Sequence, residues 1–332
     1  MKELKLKASA DGISLAVALI EPEGRPKGVF QLVHGMCEHK ERYFDFMEYL
    51  ASQGYVAVIH DHRGHGGSVS SPRDLGYFGK GGWRAMVEDV KVVGDWAREQ
   101  YPGLPFTLLG HSMGSMVVRS YSKRHDSTID RLFVCGCPSD NPAKGAGAAL
   151  AWLCGVFGGW HCRPALLAKM SFAGYNKGFE DEGFPRAWVC SDKSVLQRYH
   201  DDPLCRFIFT ANGFLNLMRL MQDCYSLKGW KCTRPALPVH FISGGDDPCR
   251  ISDEALQKAA SSMRRAGYSD VTVTLYPGMR HEILNETGRE RVWADVVGAA
   301  ARDGAAALDG AAALDGAAAR DGAAARDGAG RP

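Results

Sequence analysis

The sequence predicts an α/β protein: a doubly wound, mostly parallel sheet with one inserted helical cap. Two observations carry the prediction. Short apolar runs alternate with stretches whose apolar residues recur at helical spacing, and this alternation stops once, between Cys137 and Leu237, before resuming. A third observation, Gly110-His111-Ser112-Met113-Gly114 between one such run and one such stretch, sets a serine at a strand-to-helix turn.

Taken in order, residues 4–22 (LKLKASADGISLAVALIEP) alternate polar and apolar around Asp11-Gly12, which predicts a hairpin forming the antiparallel edge of the sheet. The runs 28–35, 54–61, 105–112, 131–137, 237–245 and 271–278 then predict strands buried on both faces. Between them, 43–53, 83–100, 113–125, 253–265 and 289–300 predict helices with one apolar face. The expected domain plan is a core of residues 1–137 and 237–302 and a cap of 138–236. The cap is rich in Gly, Trp, Phe and Met, with apolar runs at 148–160 and 207–221. Those runs are too short to span a bilayer but suit a buried cap core or a lid that touches lipid surfaces transiently. From Asp303 the chain repeats a six-residue unit, DGAAAL twice and DGAAAR twice, ending in DGAGRP at Pro332. With no bulky apolar face to bury, this tail is expected to be disordered.

With 40 Lys plus Arg against 38 Asp plus Glu, the chain has no charge excess that would draw it to nucleic acid. The N-terminal MKELKLKASADG lacks the apolar core of a secretory signal, so a soluble, cytoplasmic protein is the expectation. Ten scattered cysteines without Cys-x-x-Cys pairs predict reduced thiols and no metal site.

The serine motif points to nucleophilic chemistry. Small residues flank Ser112 because so sharp a turn leaves no room for larger ones, and the helix beginning there aims amides at developing negative charge. A serine needs a base to take its proton, and the base needs a carboxylate. In this strand-turn-helix context the order is serine, acid, histidine. His281 alone of eleven histidines follows the acidic candidates Asp246 and Asp247, so it is the expected base; spacing leaves the two aspartates even. The backbone amide of Met113 is one expected oxyanion donor, and that of Met36, from the His34-Gly35-Met36 loop, the other. His111 is read as packing, and His34, His60, His62 and His65 as turn or core histidines.

The segments HGMCEHKERY, HDHRGHGGS, LLGHSMGS, ISGGDDP and YPGMRHEILNE resemble the monoacylglycerol lipase and lysophospholipase branch of the α/β-hydrolases, grouped with serine aminopeptidase-like hydrolases. The resemblance runs from about Gly28 to Ala300. It implies that Asp247 is the acid and that Glu38 and Arg42 organise the oxyanion loop. Asp61, Arg63, Gly64 and His65 match the family's structural turn. It further implies a carboxylic ester hydrolase acting through an acyl-enzyme on a monoacyl lipid, a monoacylglycerol or lysophospholipid, without cofactor or metal. The partner is then a small lipid ester, with transient membrane-surface contact through the cap; the oligomeric state stays open. A short-chain esterase or thioesterase and an aminopeptidase-like hydrolase are the rival activities. A non-catalytic ligand binder has no need of all three residues Ser112, Asp247 and His281.

Overall fold

The computed structural model describes residues 1–302; the hexapeptide repeats of 303–332, and the expectation made for them, lie outside the described residues. The N-terminal hairpin pairs β1 (Lys2–Lys7) with β2 (Ser14–Ile20), Lys2 opposite Leu19 and Lys7 opposite Ser14. There follow β3 (Gly28–Val33), β4 (Tyr55–His60), β5 (Phe106–His111), β6 (Arg131–Cys135), β7 (Val239–Gly244) and β8 (Val271–Tyr276). They form one eight-stranded sheet in the order β1-β2-β4-β3-β5-β6-β7-β8. Only the β1–β2 and β2–β4 pairings are antiparallel.

Side-chain alternation along the strands explains the double winding. Val29, Leu108 and Leu132 face one way, into a cluster with Val87 and Val90 of α2 (Gly82–Gln100) and Met116 and Val117 of α3 (Met113–His125). Their neighbours Phe30, Leu109 and Phe133 face the other way, against Phe46 and Leu50 of α1 (Phe44–Ser52) and Trp293 of the helical residues 289–302. Strands with helices on both faces must be apolar at nearly every position, as the central ones are. β8 departs from the expected burial on both faces: its residues are buried at the ends and partly exposed between. It is the last strand of the sheet, and Thr272 and Thr274 line an open groove there between the sheet and Asp295 and Ala299 of the helical residues 289–302.

Between β6 and β7 the chain inserts α4 (Lys144–Gly158), α5 (Ala165–Ser171), α6 (Lys193–Asp201) and α7 (Ala211–Tyr225). The insertion is not a separate body. Phe214, Leu220 and Cys224 of α7 lie in the same apolar cluster as α2 and α3. Asn212 and Asn216 accept hydrogen bonds from the Phe78 and Trp83 amides at 2.9 and 3.1 Å. Among the described residues, no helix is long and apolar enough to cross a membrane.

Candidate active site

The site begins with a strained backbone. Ser112 follows β5 at φ 54°, ψ −117°, a region that non-glycine residues rarely occupy and that surrounding structure must enforce. The reason for the flanking glycines is close approach. A Cβ on Gly110 would stand 2.3 Å from the Gly114 carbonyl oxygen, and one on Gly114 would stand 2.1 Å from that of Val33. The Ser112 amide is tied to the Cys135 carbonyl at 2.9 Å, which leaves the hydroxyl projecting above the sheet.

The hydroxyl of Ser112 lies 2.8 Å from Nε2 of His281, and Nδ1 of His281 lies 2.9 Å from Oδ2 of Asp247. The two aspartates that spacing left even are separated by geometry. Asp247 is buried and its other oxygen accepts from the Cys249 amide at 2.8 Å, whereas Asp246 is exposed. Burial alone would raise the Asp247 carboxyl, but the charge and hydrogen bond of His281, with the Cys249 amide, outweigh it and hold the group below the usual carboxylate range. The Trp188 ring, from the insertion, packs 5.1 Å from the His281 ring and closes one side.

Met36 and Met113 both border the cavity above Ser112, and among the described residues neither backbone amide has a hydrogen-bond acceptor. The Met36 loop is held from beneath. Glu38 accepts from the Gly35 amide, from the Tyr43 hydroxyl at 2.9 Å and from Arg42 at 3.0 Å. Burial would raise this carboxyl, but His111 and Arg42 hold it well below the usual range. Cys37 sits at φ 54°, its amide donating to Nε2 of His65 at 3.4 Å and its carbonyl accepting from the Tyr199 hydroxyl of α6 at 3.3 Å. The turn after β4 supports the same loop: Asp61 accepts from the Lys40 and Gly67 amides at 2.8 and 2.7 Å, while Arg63 pairs with buried Asp89. His34 donates to the Gly35 carbonyl and accepts from the His62 amide, as befits a buried neutral ring.

Four participants were beyond sequence reasoning. Trp188 and Tyr199 come from the insertion, where no motif marks them. Cys249, whose sulfur lies 4.0 Å from Nε2 of His281, and Glu282, which pairs with Arg42, adjoin recognised residues but carry no spacing signal. His111, read from sequence as packing, instead makes polar contacts with Glu38 and with the His281 carbonyl. Among the described residues, two clusters offer metal-ligand types, His39-Asp202-Cys205 and Asp247-Cys249-His281, and in each the histidine is already hydrogen bonded to the aspartate.

The cavity has a volume of about 290 Å³; six methionines, Met116 among them, line it with Phe172, Trp188, Leu217 and Ile251, and Ser139, Asn141, Ser171 and Tyr175 add uncharged polar groups. Among the described residues, its lining includes no Lys, Arg, Asp or Glu. A parallel sheet carrying a serine at an elbow after β5, an aspartate after β7 and a histidine after β8 defines the α/β-hydrolase class. Within it, the model of the serine aminopeptidase S33 family matches residues 24–288, and the chain belongs to that family. It is 33% identical over 294 residues to the monoglyceride lipase of Mus musculus, covering 86% of this chain and 85% of that protein. It is 28% identical to the monoacylglycerol lipase of Mycolicibacterium smegmatis, covering 87% and 93%. Among solved structures, a thermostable carboxyl esterase from Bacillus coagulans in complex with glycerol superposes with a TM-score of 0.84 at 25% identity, covering 91% of this chain and 98% of that one. The protein is a serine ester hydrolase of the lipase and esterase kind.

Proposed function

We propose that the protein releases a fatty acid from a monoacylglycerol through an acyl-enzyme. The observation that carries this is the unbroken Ser112–His281–Asp247 hydrogen-bond chain at the base of an uncharged, apolar cavity. In this reading His281 takes the Ser112 proton as Oγ attacks the ester carbonyl, and the Met36 and Met113 amides receive the oxyanion. His281 then returns the proton to the leaving glycerol oxygen, and water repeats the sequence on the acyl-enzyme. Asp247 holds the ring in its tautomer and stabilises the imidazolium.

Two features favour a neutral monoacyl lipid. Each acyl methylene buried among these side chains gains about 0.8 kcal/mol. A lysophospholipid headgroup would bring a phosphate to a lining that offers no lysine or arginine, which favours a glycerol headgroup. The insertion acts as the cap in this reading and meets lipid surfaces. Trp152, Val156, Phe157 and Leu166 stand exposed on α4 and α5, Phe157 at 85%. Met170 and Ile251, at 58% and 67%, are exposed and also line the cavity, so the apolar surface runs into its mouth.

The test is turnover of p-nitrophenyl esters of two to sixteen carbons by the wild type and Ser112→Ala, followed by 1-monoacylglycerol and lysophosphatidylcholine. The proposal expects serine-dependent turnover that rises with chain length and favours the monoacylglycerol. Activity confined to short chains would make the protein a general esterase.

A further inference from the structure

We propose that His111 is held as an imidazolium, the fourth charge of a buried quartet with Glu38, Arg42 and Glu282, and that it is a positioning residue for both the oxyanion loop and His281. Its placement rests on geometry; its effect on turnover rests on the catalytic roles proposed above.

His111 is the last residue of β5 and is buried. Nδ1 lies 3.3 Å from Oε1 of Glu38, and Nε2 lies 3.2 Å from the carbonyl oxygen of His281. A carbonyl can only accept, and an ionised carboxylate can only accept. A neutral imidazole carries one N–H and would turn the lone pair of its other nitrogen toward an oxygen lone pair. Only the doubly protonated ring satisfies both neighbours. Moving the proton to Glu38 is the alternative, and the Glu38 contacts oppose it: this carboxyl already takes the Gly35 amide, the Tyr43 hydroxyl and the Arg42 guanidinium, three donors that favour the anion.

The charge count agrees. Arg42, whose side chain is 10% exposed, is shared between Glu38 and Glu282, so one largely buried cation faces two buried carboxylates. A net charge in such surroundings is costly, and a protonated His111 closes the set at zero. The ionisable groups around the ring are Glu38 and Tyr43 from the segment after β3, Cys135 of β6, Asp247 after β7, and His281 and Glu282 after β8. Burial pulls the His111 ionisation down, but the hydrogen bond and charge of Glu38, with Glu282 behind it, outweigh burial and raise it above the usual histidine value.

The consequence is mechanical. One ring joins three segments that meet at the site: its own strand end before Ser112, the Glu38 anchor of the Met36 loop, and the main chain of His281, whose ring packs 4.7 Å away. Loss of the proton removes one of these ties. A group with a raised folded pKa contributes fully below its unfolded value and loses that contribution as pH rises through the folded one.

The test is nitrogen-15 NMR of histidine-labelled wild-type protein at pH 7.5, where the ring nitrogen shifts separate imidazolium from neutral imidazole. His39, flanked by Glu41 and Asp202, is the other raised histidine, so His39→Gln removes its signals and leaves those of His111. An imidazolium remaining in His39→Gln, titrating only well above pH 7.5, is the expected result; a spectrum with only neutral rings would overturn the proposal. As a functional arm, the wild type is expected to lose kcat for p-nitrophenyl butyrate at alkaline pH, and His111→Gln is expected to lower kcat by about tenfold or more with little change in KM and to lack that alkaline fall. A His111→Gln enzyme with the wild-type pH profile would refute the positioning role, whatever lipid proves to be the substrate.

Discussion

Arg42 and Glu282, 240 positions apart in the chain, form a two-pronged pair, Nη1 to Oε1 at 2.5 Å and Nη2 to Oε2 at 2.6 Å, one residue beyond His281. The same guanidinium reaches Glu38, so the segment that holds the Met36 amide and the segment that holds the imidazole share one cation. Replacing Arg42 by methionine leaves both carboxylates buried without it. Breaking a buried pair in this way costs about 3–5 kcal/mol. Urea denaturation of Arg42→Met is expected to show a midpoint lowered accordingly with an unchanged slope.

The acid assignment separates two adjacent residues. Asp247→Asn is expected to lower kcat for p-nitrophenyl butyrate by about 10⁴-fold, because the amide no longer enforces the productive imidazole tautomer. Asp246→Asn, altering an exposed side chain, is expected to leave turnover close to wild type. The reverse pattern would transfer the role to Asp246.

Acid weakens the fold through its buried histidines. Burial pulls His34 down to about 4 and both His60 and His65 down to about 3, and it pulls His62 down as well. Each is neutral when folded and gains a proton near pH 6.5 when unfolded. Their contribution is therefore complete above about pH 6.5 and declines as pH falls toward 4, by up to about 1.4 kcal/mol per pH unit for each ring. The thermal midpoint measured from pH 7.5 to 4.5 should drop steeply below 6.5; a flat profile would contradict the neutral assignment.

The apolar surface of α4 and α5 makes a prediction that separates interface from chemistry. Phe157→Ser with Leu166→Ser is expected to weaken binding to phosphatidylcholine vesicles by about tenfold or more, since each such side chain gains about 1.5–3 kcal/mol on full burial. Turnover of soluble p-nitrophenyl butyrate should be unchanged. Equal vesicle binding by variant and wild type would remove the membrane-surface role.

All ten cysteines are free thiols, and only Cys154, Cys162 and Cys232 are partly exposed. Ellman's reagent is expected to label no more than these three quickly in the native protein and all ten in denaturant. Fewer than ten in denaturant without reductant would reveal a disulfide.

Local chemistry made most of the architecture legible. The alternation of apolar runs with helical periods needs no tertiary information, and a strand between two helical layers must be apolar throughout, which is how β3 to β7 announce themselves. β8 was misjudged for burial because its sequence does not say that it ends the sheet. The serine elbow was readable because steric crowding restricts its flanking residues to glycine.

By itself, then, the sequence determined the sheet and its winding and the strained serine turn, which follow from the size and polarity of residues near one another in the chain, and chain order singled out His281 as the histidine to expect beside Ser112. Only the tertiary structure decided which aspartate meets His281, that Arg42 bridges Glu38 and Glu282, that His111 faces two acceptors, and that Trp188 and Tyr199 lean from the insertion onto the site. These relationships join segments up to 240 residues apart, and hydrogen bonds act over about 3 Å in space with no regard for separation along the chain.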